Sequence, residues 1–130
     1  MSPDMPAEPG AERPVLLLFR RPPHGTVFPA EGLRMAEALL AFQIPVKAVF
    51  LEDGVFNLVK GQGKGTLGFG DLGAAFAGLV ANGIKELLVL QEDLADRRVR
   101  IEDLVDAQLR AIRVTELRAL MDEAKVVMPF

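Results

Sequence analysis

Apolar and polar positions alternate along the chain in blocks that predict strands and helices in turn. Val15–Phe19 is a continuous apolar run, typical of a central parallel strand that helices cover on both faces. Residues 31–43 instead carry leucine, alanine and phenylalanine at helical spacing, which predicts a helix that Ile44 and Pro45 end. Residues 46–51 predict a second strand, because they are again apolar and lead into a polar turn.

The second half of the chain continues this alternation. Asp71 is the expected N-cap of a helix over residues 71–82, and Gly83 is expected at its C-terminal end. The other predicted elements are a helical turn at 55–59, a mobile glycine-rich connection at 61–70, strands at 86–91, 110–113 and 126–128, and helices at 101–109 and 114–124.

The order of these elements predicts the fold class. Strands that alternate with helices are typical of a three-layer α/β/α sandwich with a mostly parallel sheet, here of five strands. The 130 residues fit one domain, which we expect over residues 14–130. Residues 1–13 hold three prolines, a glycine and three acids, and this composition predicts a disordered leader.

Composition excludes several classes of function. The chain has no cysteine and one histidine, so it cannot form disulfides, cysteine-ligated metal sites or a thiol nucleophile. We therefore expect no cofactor and no metal. A net charge of −3 does not favour direct binding of nucleic acid. No stretch reaches the roughly 18 apolar residues of a membrane span, and the N-terminus does not resemble a signal peptide, so we expect a cytoplasmic protein without membrane contact.

Polar residues follow three predicted strands, and parallel strands bring their carboxyl ends to one edge of the sheet. We expect the candidate binding residues at that edge: Arg20, Arg21, His24, Gly25, Thr26, Glu52, Asp53 and Gln91. Each also has a structural interpretation. The two acids are typical of a turn, the arginines of a solvated loop, and the histidine of a turn hydrogen bond.

Two further patterns do not predict a site. The glycine-rich segment has neither the spacing of a Walker loop nor the position of a dinucleotide fingerprint. The basic residues Arg97, Arg98 and Arg100 lack interleaved aromatic residues and have acids on both sides, so a solvated face is favoured.

Three motifs in order resemble the DsrE/DsrF-like family, and most closely its TusC/DsrF branch. The first is Pro23–His24–Gly25–Thr26, the second is the helix start Glu31–Gly32–Leu33, and the third runs from Phe50 to Leu58 and continues to Gly61–Gln62. The end of the chain, from Glu116 to Phe130, is also similar to the closing helix and strand of that branch. The resemblance implies an α/β sandwich with a parallel sheet and small subunits that assemble in a sulfur relay.

The resemblance also defines where this chain departs from the family. In the family's DsrE/TusD-type subunits a cysteine just after the third strand carries the sulfur, and Leu90 stands nearest to that position here. The resemblance therefore implies a TusC-like structural subunit, linked to tRNA 2-thiouridine synthesis or sulfur oxidation, that assembles with itself or with a cysteine-bearing DsrE/TusD-like subunit.

Three functional hypotheses follow. The first is this non-catalytic subunit, with Phe56, Leu58 and Val59 and the small-residue helix after Asp71 in a subunit interface. The second is a module that binds a small molecule or anion at the carboxyl edge of the sheet. The third is an enzyme in which Glu52, Asp53 or His24 acts as acid or base, although no residue is predicted to be catalytic.

Overall fold

The computed structural model describes residues 12–62 and 71–130, and these form a five-stranded parallel sheet covered by helices. The strands are β1 (Val15–Phe19), β2 (Val46–Phe50), β3 (Leu87–Leu90), β4 (Leu109–Ile112) and β5 (Val126–Pro129). Their order in the sheet is β4-β3-β2-β1-β5, and every pairing is parallel. The predicted fold class is confirmed.

Within the described residues, four α-helices and two 3₁₀ helices connect the strands. The α-helices are α1 (Phe28–Ala41), α2 (Leu72–Ala77), α3 (Gln91–Asp96) and α4 (Val114–Glu123). The 3₁₀ helices are Glu52–Leu58 and Ile101–Asp103. α1 begins before the predicted start at residue 31, because Pro29 fits the first helical turn, where its missing N–H costs nothing.

The direction in which the chain crosses the sheet decides which face each helix covers. From β1 to β4 each strand is added on the same side of the previous one, and the connecting segments pack on one face through Leu33, Phe76 and Leu94. α4 then leads from β4 at one edge back to β5 at the other, and it covers the opposite face through Leu117 and Leu120. Right-handed crossovers require this change of face when the direction reverses.

Aromatic rings form the centre of the larger core. Phe19, Phe50 and Phe76 are completely buried, and their ring centroids lie 4.8 to 5.0 Å apart. Phe19 and Phe50 stack, whereas Phe76 meets both rings edge-on, which are the two favourable arrangements of aromatic pairs. This cluster lies under the carboxyl ends of β1 and β2, so it provides a rigid base for the loops that follow them.

One predicted element is wrong, and one helix of the structure is missing from the prediction. Residues 101–109 form only the short 3₁₀ helix, a bridge residue and a bend that leads into β4, because Leu104 pairs with Val59 in an isolated antiparallel bridge and the Val105 N–H donates to the Leu58 carbonyl at 2.7 Å. α3 was not predicted, because only Leu94 of its six residues is buried and its apolar pattern is too short to detect.

The predicted helix over residues 71–82 is shorter than expected. Asp71 is its N-cap, as predicted, and accepts the Ala74 N–H at 3.1 Å. α2 ends at Ala77, and turns follow as far as Gly83, whose φ of +120° ends the helical direction of the chain.

Parts of two predictions fall outside the described residues. Of the predicted leader, the structure describes Glu12 and Arg13, and the Arg13 guanidinium donates to the carbonyls of Asp122 and Glu123 at 2.9 and 3.0 Å. Of the predicted glycine-rich connection, residues 63–70 are outside the described ranges.

Candidate functional site

The carboxyl ends of β1 and β2 are joined by an ion pair between Arg20 and Glu52. Arg20 follows β1 and Glu52 follows β2, and the two strands are neighbours in the sheet. The guanidinium makes two contacts with the carboxylate, from Nε to Oε2 at 3.2 Å and from Nη2 to Oε1 at 3.3 Å. Both side chains are about half exposed, so water screens the pair and its contribution to stability is small.

The contacts continue from Glu52 to the end of β3. The Glu52 backbone N–H donates to Asp93 Oδ2 at 2.6 Å. Glu52 has a φ of +52°, a backbone conformation that is costly for a residue with a side chain. The charged acceptor compensates for this cost, because hydrogen bonds to a carboxylate are stronger than those between neutral groups.

Arg97 completes what we call the carboxyl-edge network, consisting of Arg20, Glu52, Asp53, Asp93 and Arg97. Its guanidinium lies 3.4 Å from Asp93 Oδ1 and 3.0 Å from Asp53 Oδ1. The Asp93 side chain is only 15% exposed, and that of Arg97 is 25% exposed. The network therefore fixes α3 against the first 3₁₀ helix, and its two guanidinium groups offset two of its three carboxylates.

The sequence predicts three members of this network as site residues and favours a solvated face for Arg97. The structure brings Arg20, Glu52 and Asp53 to one edge, where Arg20 pairs with Glu52 and Asp53 pairs with Arg97. The interpretation of Arg97 as part of a solvated face is wrong, because it is paired and three-quarters buried. A signal was available, since Asp93 and Arg97 are four residues apart on a helix.

Glu92 joins β3 to the start of α4. Its Oε2 accepts the Val114 N–H at 3.2 Å, at the N-terminus of that helix. This hydrogen bond is the main reason that the pKa of Glu92 lies below its ordinary value; its own N–H and the charge of Arg113 act in the same direction, and burial opposes them. The neighbouring Gln91, a predicted site residue, begins α3 and is exposed.

The loop after β1 holds the other predicted site residues. The Arg21 guanidinium lies 4.4 Å from the centroid of the Phe28 ring, a cation–π contact. His24 is exposed, and among the described residues no carboxylate lies within 4.0 Å of it. Gly25 has a φ of +97°, which favours glycine, and the Thr26 hydroxyl is buried without a partner in the described part of the chain.

Asn57 ties this loop to the first 3₁₀ helix. It is completely buried, and its Nδ2 donates to the carbonyls of Arg21 at 2.8 Å and Gly54 at 2.9 Å. Gln62 extends the link, because its Nε2 donates to the carbonyls of Asn57 at 2.6 Å and Val59 at 3.1 Å. Side-chain amides of the motif over residues 50–62 therefore tie the loop after β1 to the first 3₁₀ helix and satisfy backbone carbonyls of both.

The predicted interface residues differ in exposure. Phe56 and Val59 are half-buried and pack against the core, whereas Leu58 is completely buried inside the subunit. The Leu58 side chain is therefore not part of an outer surface. In α2, Gly73 faces inward against Gln62 and Asn57, while Ala74 and Ala75 are exposed.

Neither a metal-binding group nor a membrane-spanning helix is present in the part of the chain that the structure describes. The described residues contain no group of three or more His, Asp or Glu side chains that could hold a metal ion. Within the same residues no helix is both long and apolar enough to cross a bilayer.

Comparisons with known proteins identify relatives along nearly the whole chain. The sequence profile of the DsrE/DsrF-like family matches residues 13–130. The chain is 33% identical over 108 residues to a TusC homolog of Pseudomonas aeruginosa, covering 83% of this chain and 87% of that protein. It is 26% identical over 115 residues to the intracellular sulfur oxidation protein DsrF of Allochromatium vinosum, covering 85% of each.

A solved structure supports the same architecture. The ychN protein from E. coli superposes with a TM-score of 0.78 at 19% identity, covering 92% of this chain and all of that one. At this level of identity the likeness concerns the fold alone.

Proposed function

The chain belongs to the DsrE/DsrF-like family, and from this membership we propose that it is a non-catalytic, TusC-like subunit of a cytoplasmic sulfur-relay assembly. Residues 14–130 would act as its single domain. The names of the relatives support a sulfur-related role, since one is a sulfur oxidation protein and another a TusC homolog.

One observation carries the non-catalytic part of the proposal: a chain matched by the family over residues 13–130 has no cysteine. Carrying sulfane sulfur requires a thiolate that forms a sulfur–sulfur bond, and this chain has no such group. Leu90, nearest to the position of the carrier cysteine in the resemblance, is the last residue of β3 and is 5% exposed. A buried leucine can support the neighbouring loop but cannot react.

The carboxyl-edge network supports the same role. Its charged groups are paired within the subunit, so they are not arranged around a substrate-sized space. Paired charges held by a stacked aromatic core form a rigid surface, and rigid surfaces lose little conformational entropy when they are covered by another protein.

We propose that a subunit interface includes the exposed small residues of α2 and the half-buried Phe56 and Val59. Ala74 and Ala75 allow another backbone to approach closely, and the two larger side chains supply apolar area. The partner would be a second copy of this chain or a cysteine-bearing DsrE/TusD-like subunit.

Light scattering after size-exclusion chromatography tests assembly directly. The chain, at micromolar concentration, should form a stable complex alone or when mixed with a cysteine-bearing relative from the same genome. A strict monomer under both conditions would overturn the proposal. In the mixture, treatment with a sulfur donor should add sulfur to the partner and not to this chain.

Paired variants locate the interface. Ala75→Arg places a long charged side chain on exposed α2 and should weaken association, because a buried unpaired charge is costly. Ala38→Arg is the matched control, since Ala38 is also an exposed helical alanine, but on α1. Equal effects of the two substitutions would exclude α2 as the specific contact.

The pathway can be decided in the source cell. If the assembly serves tRNA thiolation, deletion of the gene should lower 2-thiouridine in tRNA; if it serves sulfur oxidation, deletion should slow the oxidation of reduced sulfur compounds. A deletion that changes neither would contradict a relay role in that cell.

One observation favours the alternative function, which is the binding of an anion at the carboxyl edge. Arg21 is exposed, and no carboxylate of the described residues lies within 4.0 Å of it. A thermal-shift screen of small anions tests this function. Any stabilisation should disappear in Arg21→Ala and persist in Arg34→Ala, an exposed arginine on α1.

A further inference from the structure

A cavity of about 800 Å³ lies at the amino edge of the sheet, opposite the carboxyl-edge network. Leu40 and Ile44 near the end of α1, Val46 at the start of β2, and Ile84 and Leu88 around the start of β3 supply its apolar lining. Its volume falls within the range of about 300–1,000 Å³ that is typical of small-molecule sites.

Two lysines line this cavity. Lys47 is the second residue of β2 and Lys85 precedes β3, and both are exposed. Among residues 12–62 and 71–130, no carboxylate lies within 4.0 Å of either ammonium group. Neither cation is paired within the part of the chain that the structure describes, and both line the cavity.

The acids that line the cavity do not neutralise these lysines. The register of β2 against β3 places Glu86 beside Lys47, but Arg110 holds that carboxylate, with its Nε 3.1 and 3.0 Å from the two oxygens. Glu12 is the other acid in the lining, and it makes no ion pair with a described residue. It should weaken binding of an anion without preventing it.

We propose that this cavity binds an amphipathic anion. The apolar chain of the ligand lies against Leu40, Ile44 and Ile84, and its anionic head contacts Lys47 and Lys85. Apolar walls with a small number of placed charges are the usual composition of such sites, and the charges fix the orientation of the ligand. The proposal is independent of the proposed function, because the site lies at the opposite edge of the sheet and uses none of the same residues.

Titration of the full chain with decanoate, followed by two-dimensional amide NMR, tests the site. The expected result is saturable chemical-shift change at residues 40–47 and 82–88. Decanol, which has the same chain without the charge, should bind more weakly. Saturable changes confined to other residues, no saturation, or equal binding of decanol would overturn the proposal.

Variants test the role of the charges. The double variant Lys47→Ala/Lys85→Ala should bind decanoate about three- to thirtyfold more weakly, as expected for the loss of two exposed charge pairs. Glu12→Gln should bind it more tightly, and Arg34→Ala, outside the cavity, should bind it equally. Unchanged affinity in the double variant would contradict the proposal.

Salt gives a measurement that needs no variant. Raising the ionic strength toward 1 M shortens the Debye length to about 3 Å, so decanoate should bind more weakly while decanol should not. A decanoate affinity insensitive to salt would also overturn the assignment.

Discussion

Gly54 packs directly against the backbone of Phe19, whose carbonyl oxygen occupies the space that a side-chain Cβ at position 54 would need. The same carbonyl accepts the Leu51 N–H at 3.0 Å. The turn after β2 therefore lies directly on the end of β1, and this contact sets the position of Glu52 and Asp53 at the carboxyl edge. Backbone cannot yield as a flexible side chain can.

We expect Gly54→Ala to lower the free energy of unfolding by about 3 kcal/mol, since the added methyl group forces β1 and the turn apart. Urea denaturation measures this loss. Gly61→Ala is the control: Gly61 has a φ of +72° but open space around it, so backbone strain of about 1 kcal/mol is expected. Similar losses in the two variants would contradict the steric explanation.

Asp93 should contribute more to stability than Arg20, although both belong to the carboxyl-edge network. Asp93→Ala leaves the Glu52 N–H without its charged acceptor at a part-buried position, and we expect a loss of about 2 kcal/mol. Arg20→Ala removes only a half-exposed ion pair, which should cost less than about 1 kcal/mol. Hydrogen exchange at the Glu52 amide should accelerate in the Asp93 variant and change little in the Arg20 variant.

Replacement of Asn57 by alanine is expected to destabilise the protein less than replacement by aspartate. Asn57→Ala leaves the carbonyls of Arg21 and Gly54 without their donor, at a cost of about 1–3 kcal/mol. Asn57→Asp is nearly isosteric but places a buried carboxylate against those two oxygens, so the loss should exceed that of alanine at neutral pH. Thermal unfolding measures which of the two variants is less stable. An Asn57→Asp variant more stable than Asn57→Ala would show that the site is not buried as described.

Glu92 should make stability depend on pH in the acid range. Because the folded protein lowers the pKa of this carboxyl, its contribution is fully present above the ordinary value of 4.5 and is lost as the pH falls through the lower folded value. Glu92→Gln should flatten the decline of the melting temperature below about pH 5. Glu37→Gln, an exposed α1 position, should leave the decline unchanged, and identical profiles for all three proteins would contradict this origin.

The central strands β1, β2 and β3 could be predicted because nearly all of their residues are buried on both faces. A run such as Val15–Phe19, apolar at every position, has few structures in which all its side chains leave water, and a covered parallel strand is the simplest. The same reasoning fails for residues 101–109. Their apolar spacing is helical, but Leu104 and Val105 find backbone partners in Val59 and Leu58, which are distant in sequence.

The candidate site was predictable in location and not in detail. The parallel direction of the strands places residues 20, 52 and 93 at one edge, independently of the contacts that their side chains make. Whether Arg20 faces a ligand or Glu52 depends on distances of a few ångströms across the sheet, and no local pattern encodes these. Arg97 reaches Asp53, 44 residues away, because α3 folds back over the first 3₁₀ helix.

The order of apolar blocks determined the α/β architecture and the parallel sheet, and the lack of cysteine determined that this chain cannot form a cysteine persulfide. These properties depend on which groups the chain contains and on how often they recur, so they can be obtained without coordinates. The tertiary structure alone decided which charges neutralise one another, which apolar residues remain outside, and where the cavity with Lys47 and Lys85 lies. Such contacts join residues far apart in sequence, and their energies depend on separation and burial, which exist only once the chain has folded.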